Sequence, residues 1–446
     1  MLDKPRTFFA IHRFESKPFA DSAGNLEVMA PMLQSGLLGP SDGVDFGWTE
    51  ALSAELVAGA VQEHRAVYGL TPVVVYGAGA HTTQYWPAIS QLNVVAIADK
   101  NPALWGGMLK GLPVIRPADI PQYAAHVLIS SRAFESNIAR ELAASLPQVQ
   151  LLKLYAGRLE QQLQAWADQL SARVLAFQPD LLVHTPTHVT ENLPAAFFLM
   201  LKQQLPQLKI VTVWWDYDEE NSTAGYLDYE REVLSYADLV IENSNASRLT
   251  RMHNNEHPYQ QHVNPKRVIF HPTWFDPSLF YPIPLAYRDI DIAVFGSRVG
   301  ERGDWIDLLA KEFGERFQHI GGVSGEQRNP LPIEQYAALL RRTKIVVNTQ
   351  TYSFRQQCKG KVREAIQCGV LLMEQDNTET RHLLPDGCGV VYFRTPSELI
   401  SQIRVYLSDQ SSYEKNLQAA VNLFAGQSIV KNWTDTILRL LDSTDD

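Results

Sequence analysis

One hydropathy pattern returns along almost the whole chain: a short β-branched run that stops at glycine or a polar residue, then a helical stretch. It begins at PVVVYGAG after Thr71 and returns as VVAIADK, HVLISS, VQLLKLY, PDLLVHTP, IVTVWWDYD, ADLVIENS, RVIFHP, DIAVFGS, FQHIGG, KIVVNTQ, VLLMEQ and VVYF. Apolar runs without polar alternation suit strands covered on both faces, the situation of parallel sheets. Strands alternating with helices predict βαβ units and an α/β fold. The 446 residues accommodate about three domains at ~150 residues each. With 45 % hydrophobic and 20 % charged residues, the chain can fill their cores.

The pattern predicts four segments. Residues 1–69 read as a lead-in, irregular at first and helical over TEALSAELVAGAVQEHRAVYGL. Residues 70–155 read as a small Rossmann-like accessory domain, 156–285 as a second βα series and 286–446 as a third. Pro272, Pro277, Pro282 and Pro284 crowd the connection between the last two, the mark of a linker.

Composition removes several functions. The net charge is −10, from 39 basic and 49 acidic side chains, so no basic face is offered to nucleic acid. No run of 18 apolar residues exists and the first residues lack an apolar signal core, so the expectation is a cytoplasmic protein without a membrane span. Asn221 and Asn245 open glycosylation sequons that have meaning only in a secretory lumen. Cys358, Cys368 and Cys388 are too few for a disulfide framework and lack metal-ligand spacing. HNNEHPYQQH, with His253, Glu256, His257 and His262, contains Pro258 and reads as a surface loop, so no metal site is expected.

Three places carry candidate chemistry. FGS ends a strand at Phe295–Ser297 and opens a loop holding Arg298 and Arg302. Such a turn offers backbone N–H groups of Gly296 and Ser297 to phosphate, and the arginines add charge-assisted bonds. QQCKGKVREAIQCG gathers Lys359, Lys361 and Arg363 at a helix start. Cations there oppose the helix dipole unless an anion lies between them, the local conflict expected at a diphosphate site. Glu364 in the same turn can accept ribose hydroxyls.

The second place is TVWWDYDEE, where Trp214, Trp215, Asp216, Tyr217 and Asp218 lie at a strand's end. Rings stack on apolar sugar faces and carboxylates accept sugar hydroxyls. Asp216 is the first candidate for sugar contact or base and Asp218 the second, with His184 and His188 of LLVHTPTH as alternative bases. The third is VVVYGAGAHTTQYW. Gly77 and Gly79 begin a dinucleotide fingerprint whose third glycine is replaced by Thr82, and Asp99 stands 22 residues after Gly77 at the ribose distance.

From Tyr236 to Leu407 the ordered motifs resemble the CgeB-like branch of GT-B-fold glycosyltransferases, related to the group-1 transferases. The motifs are ADLVIENS, FHPTWFDPSLFYP, DIAVFGS with Arg302, YAALLRRTKIVVN, KVREAIQCGVLLME and PDGCGVVYFRTPSELISQI. The resemblance implies two Rossmann-like domains facing across a cleft. The C-terminal one holds a nucleotide sugar and the N-terminal one contacts the acceptor, a protein or cell-envelope glycan hydroxyl. Glu364 then matches the acid that holds the donor ribose, Arg302 the arginine after the FGS-type loop, and Lys361 stands where the family has arginine. No cofactor or metal is implied.

Two departures stand out. Gln356 occupies the position eight residues before Glu364 where retaining relatives have an acid, and Val362 replaces an aromatic. Inverting and retaining chemistry both remain open. The stretch from Gly77 through ADKNPALWGGMLKGLPVIRPADI resembles the small Rossmann-like domain beside sugar-modifying enzymes, which either binds a nucleotide or packs. Two alternatives follow: a nucleotide-sugar oxidoreductase or epimerase built on 70–155, for which no Tyr-x-x-x-Lys pair exists, and an inactive glycan-binding protein on the same fold.

Overall fold

The structure is a computed structural model that describes residues 4–12, 32–33, 36–46, 50–132, 134–185, 193–214, 232–243, 245–254, 256, 268–270, 277–321, 331–352, 356–424 and 434–439. The chain opens with β1 (Thr7–His12) and β2 (Ser41–Phe46), followed by the helix Glu50–Tyr68. Six strands come next: β3 (Val73–Tyr76), β4 (Val94–Ala98), β5 (Met108–Leu109), β6 (Leu112–Ile115), β7 (His126–Ile129) and β8 (Gln150–Lys153). The helix Arg158–Phe177 leads to β9 (Leu181–Thr185), β10 (Lys209–Trp214), β11 (Leu239–Glu242) and β12 (Val268–Phe270). The last series is β13 (Ile290–Phe295), β14 (Phe317–Ile320), β15 (Thr343–Asn348), β16 (Leu371–Gln375) and β17 (Val391–Phe393).

These strands form three sheets, ordered β12-β11-β10-β9-β1-β2, β5-β6-β4-β3-β7-β8 and β14-β13-β15-β16-β17. Every pairing is parallel except β5 with β6. The α/β class expected from the hydropathy pattern is therefore present in all three units. The apolar runs work as anticipated: Val73 and Val75 enter one core and Val74 and Tyr76 the other, all buried. In β13, Ile292 and Val294 face one side while Ala293 and Phe295 face the opposite one. Each fully buried Val, Ile or Phe side chain contributes about 1.5–3 kcal/mol, so both faces need a cover of helices.

The topology corrects the lead-in expected over 1–69. β1 lies between β2 and β9, so residues near the N-terminus are strands of the middle sheet, with Thr7 in register with Ser41 and Leu181. Phe8 and Phe9 are fully buried on its two faces. The helix Glu50–Tyr68 packs instead on the β3–β8 sheet through Val57, Ala60 and Val61. The accessory unit is thus inserted between strands of the middle sheet. Near the other terminus, Ile437 of the segment 434–439 returns to the middle sheet and is buried with Phe9 and Val213. Among the described residues, no helix is long and apolar enough to cross a membrane.

Candidate functional site

In the C-terminal sheet the chain runs from β13 to β14 on one side and then to β15 on the other, so the order reverses between β13 and β15. Ligands of open α/β sheets bind at the carboxyl ends of strands beside such a reversal. Gly296 follows β13 there with φ of +118°, a conformation glycine adopts without strain. Its N–H donates to Ile320 O at 2.9 Å, so it is spent on the neighbouring strand and not offered to phosphate as expected, and His319 Nε2 lies 2.8 Å from its carbonyl oxygen. A side chain at this position would press on cations: its Cβ would lie 3.0 Å from Lys361 Nζ and 3.4 Å from Arg302 Nη1.

The two cations come from different helices. Arg302 lies in the first turn of Glu301–Phe313, is 7 % exposed, and donates to Thr349 O at 2.9 Å and Ser297 O at 3.3 Å. Lys361 opens the helix Gly360–Gln367 and donates to Phe295 O at 2.8 Å. Among the described residues neither forms an ion pair. Burial, then the nearby Arg302 and Lys359, pushes the Lys361 ammonium down to about 7. Burial also lowers Arg302. Two partly desolvated cations against a glycine loop and a helix N-terminus attract an anion.

Glu364 stands one helical turn after Lys361 and accepts a hydrogen bond from the Tyr336 hydroxyl. Burial raises its carboxyl, against the lowering effect of Tyr336 and Lys361. Tyr336 is itself held edge-on by Phe280 and Phe295, with centroids 5.8 and 5.4 Å apart. Glu374, next to the last residue of β16, is fully buried. It accepts from Asn348 at 2.7 Å, Asn377 at 3.0 Å and Thr380 at 3.1 Å. Burial pushes its carboxyl up to about 7 in spite of those donors.

The structure thus brings together Gly296, Ser297, Arg302, Lys361 and Glu364. Lys359 is the N-cap residue of the Lys361 helix and donates to Gln357. The guanidinium of Arg298, expected at the phosphate, pairs with Asp307 of the helix Glu301–Phe313. Gln356 accepts from Thr378 N at 3.0 Å, so the amide in the place of an acid fastens a neighbouring helix. Val362 is fully buried in the core beside Ala365 and Ile366. Cys358 and Cys368 are buried free thiols, each pushed up to about 12 by burial.

The candidate bases divide. Asp216, Asp218 and His188 lie outside the described residues, as do Trp215 and Tyr217. His184 is fully buried within β9, its Nδ1 3.3 Å from the Tyr236 hydroxyl and its ring 4.7 Å from that of Phe198. A ring sealed in the core does not meet an acceptor hydroxyl, so His184 is corrected from candidate base to core residue.

The accessory sheet reverses in the same way between β3 and β7. Gly77 has φ of +114° and donates to Ala98 O at 2.8 Å. Asp99 turns its carboxylate inward, accepting from Ala78 N at 2.7 Å and Asn101 N at 2.8 Å. The helix after Gly79 spans only Ala80–Gln84. His81 bridges Ser130 Oγ at 2.9 Å and Tyr155 OH at 2.6 Å, and burial pushes its ring down to about 4. The ribose role expected of Asp99 gives way to fastening the Gly77–Gly79 loop.

Glu374, Tyr336 and Asn348 escaped the sequence reading. The signal for Glu374 was a carboxylate closing the apolar run VLLME, where a strand end meets the crevice. Among the described residues no group of three or more His, Cys, Asp or Glu is placed to hold a metal.

No curated protein matches the sequence. Among solved structures, HepE of Anabaena in complex with UDP-glucose is similar at 12 % identity, over 84 % of this chain and all of that one, with a TM-score of 0.47. Sucrose-phosphate synthase of Thermosynechococcus elongatus is similar at 12 % identity over the same shares, with a TM-score of 0.45. A TarM variant of S. aureus bound to UDP is similar at 13 % over 62 % of this chain and 59 % of that one, with a TM-score of 0.45. Residues 283–439, the stretch that carries Gly296, Arg302, Lys361 and Glu364, match the family model described as Glycosyl transferase-like.

Proposed function

We propose that the chain is a GT-B-type glycosyltransferase. Its C-terminal unit holds a nucleotide-activated sugar, and its middle unit presents an acceptor hydroxyl on a protein or cell-envelope glycan. The observation that carries this reading is the pair Lys361 and Arg302 converging on Gly296, within the segment that matches the transferase family model.

Negative charge grows on the leaving diphosphate as the bond to the anomeric carbon breaks. Lys361, Arg302 and the N-terminal N–H groups of Gly360–Gln367 stabilise that charge without reorganising, which is where electrostatic catalysis acts. This reading needs no metal. Glu364, oriented by Tyr336, accepts the ribose hydroxyls. The acceptor proton goes to Asp216 or Asp218 if the reaction inverts, whereas a retaining reaction does not place a base there.

A thermal-shift panel of UDP, GDP, ADP, CMP and NAD(H) on wild type and Glu364→Ala tests the reading. A ligand at ~100 times its Kd stabilises the folded state by about 2.7 kcal/mol. The expected result is stabilisation by one nucleoside diphosphate that is roughly halved in Glu364→Ala. A response to NAD(H) alone, unchanged by the substitution, would falsify it and shift the chemistry to Gly77 and Asp99.

A further inference from the structure

The helix Thr378–Leu383 of the C-terminal unit ends its role in the donor site on one side and touches the middle unit on the other. Glu379, in its first turn, is 4 % exposed. Its Oε2 accepts from Ser247 N at 3.0 Å and its Oε1 accepts from the Ser247 hydroxyl. Ser247 lies in the first turn of the helix Ala246–His253, which follows β11 of the middle sheet. A carboxylate from one unit therefore satisfies an otherwise unpaired N–H at the helix start of the other, where negative charge is favoured by the helix dipole.

The same short helix is tied to the cation site at three points. Thr378 N donates to Gln356 Oε1 at 3.0 Å, five residues before Lys361. Asn377 and Thr380 both donate to the buried Glu374. Glu374 in turn accepts from Asn348, next to Thr349, whose carbonyl receives Arg302. Hydrogen bonds joined by one- or two-residue stretches of backbone thus link Arg302 to Ser247.

We infer that Glu379 is a positioning residue: it clamps the helix Ala246–His253 and sets the middle unit in register with the donor site. The inference rests on the proposed donor reading only for its second half, the coupling between anion binding and the clamp. Occupancy of the Lys361–Arg302 site then tightens the Glu379–Ser247 contact, and reciprocity requires that loosening the contact weakens anion binding by the same factor.

Amide hydrogen exchange over residues 245–253 reads the clamp, with inorganic pyrophosphate as the probe. In Glu379→Ala, exchange there is expected to run about fivefold faster, the scale of a lost helix cap. Glu379→Gln, which keeps an oxygen for the Ser247 N–H, should recover part of the protection, and Ser247→Ala, which keeps the N–H, should also lie between. Pyrophosphate should slow exchange over 245–253 in wild type but not in Glu379→Ala, and its Kd should rise in Glu379→Ala by up to the factor of that protection. Unchanged exchange in Glu379→Ala overturns the clamp. Equal pyrophosphate protection in both proteins overturns the coupling. If wild type binds neither pyrophosphate nor any nucleoside diphosphate, the donor reading fails, and small-angle scattering decides the clamp alone. A larger radius of gyration in Glu379→Ala supports the clamp, and an identical one overturns it.

Discussion

Gly77 and Gly296 occupy equivalent places in two sheets of one kind. Each follows the first strand of its unit with a positive φ, and each donates its N–H to the neighbouring second strand. Their surroundings differ in charge. A Cβ on Gly77 would meet the Ser130 carbonyl oxygen at 3.1 Å, whereas one on Gly296 would meet Lys361 Nζ at 3.0 Å. Around Gly77 the polar groups satisfy one another: Asp99 takes Ala78 N–H, Thr82 donates to Gly77 O, and His81 bridges Ser130 and Tyr155. Around Gly296 two cations spend hydrogen bonds on carbonyls and form no ion pair among the described residues. Topology marks where a ligand can sit, and the charge left over after internal pairing decides whether one is called for.

The largest effect that separates the two regions is structural. Glu135 is buried and accepts from the N–H groups of Leu154, Tyr155 and Ala156 at the end of β8. Glu135→Ala orphans these donors and should lower stability by about 2–3 kcal/mol in denaturant unfolding. Nucleotide affinity, measured by calorimetry under native conditions, should not change. A parallel loss of affinity would mean the accessory unit holds the ligand.

Next is Lys361→Met, which removes one charge-assisted contact proposed for the donor phosphate. Nucleoside diphosphate affinity should fall by about 2 kcal/mol, roughly thirtyfold. The same lysine sets a pH dependence. Its folded value of about 7 lies below the ordinary 10.5, so the unfolded chain binds more protons between the two and stability of the free protein rises with pH across that window. Binding has the opposite slope. A bound diphosphate favours the charged ammonium, so affinity should weaken as pH rises above 7, by up to about tenfold per unit, and Lys361→Arg should flatten the profile.

Glu364→Ala should weaken binding of a ribonucleoside diphosphate by about tenfold, and leave inorganic pyrophosphate nearly unaffected, because the carboxylate is assigned to the ribose. Equal loss for both ligands would move Glu364 to the phosphate side. The smallest expected effect is Asp99→Asn, which keeps an oxygen for Ala78 N–H and should change nucleotide affinity by less than about twofold. A large loss there would reverse the comparison of the two glycine loops.

Much of the proposed donor site was legible because its parts are local. FGS closing an apolar run marks a strand end, and cations at a helix start mark an unresolved charge, so Gly296, Arg302 and Lys361 could be named from spacing. Arg298 was named by the same logic, and the structure pairs it with Asp307, nine residues on, which no local signal announced. His184 failed for another reason: a strand-end histidine looks alike whether the ring faces a crevice or a core, and only Phe198 and Tyr236 settle which.

Sequence alone determined that the chain is α/β, where its apolar strands begin, and which turn collects cations, since these depend on hydropathy period and neighbouring side chains. Tertiary structure decided what joins across long separations. It placed β1 between β2 and β9, inserted a whole unit in the chain between β2 and β9, returned Ile437 to the middle sheet, and set Glu379 against Ser247. A parallel strand carries no local signal for its partner, because its crossover can be of any length and its two buried faces fit any apolar neighbour. Likewise, the charge of a carboxylate says nothing of which helix it caps until packing brings that helix within 3.0 Å.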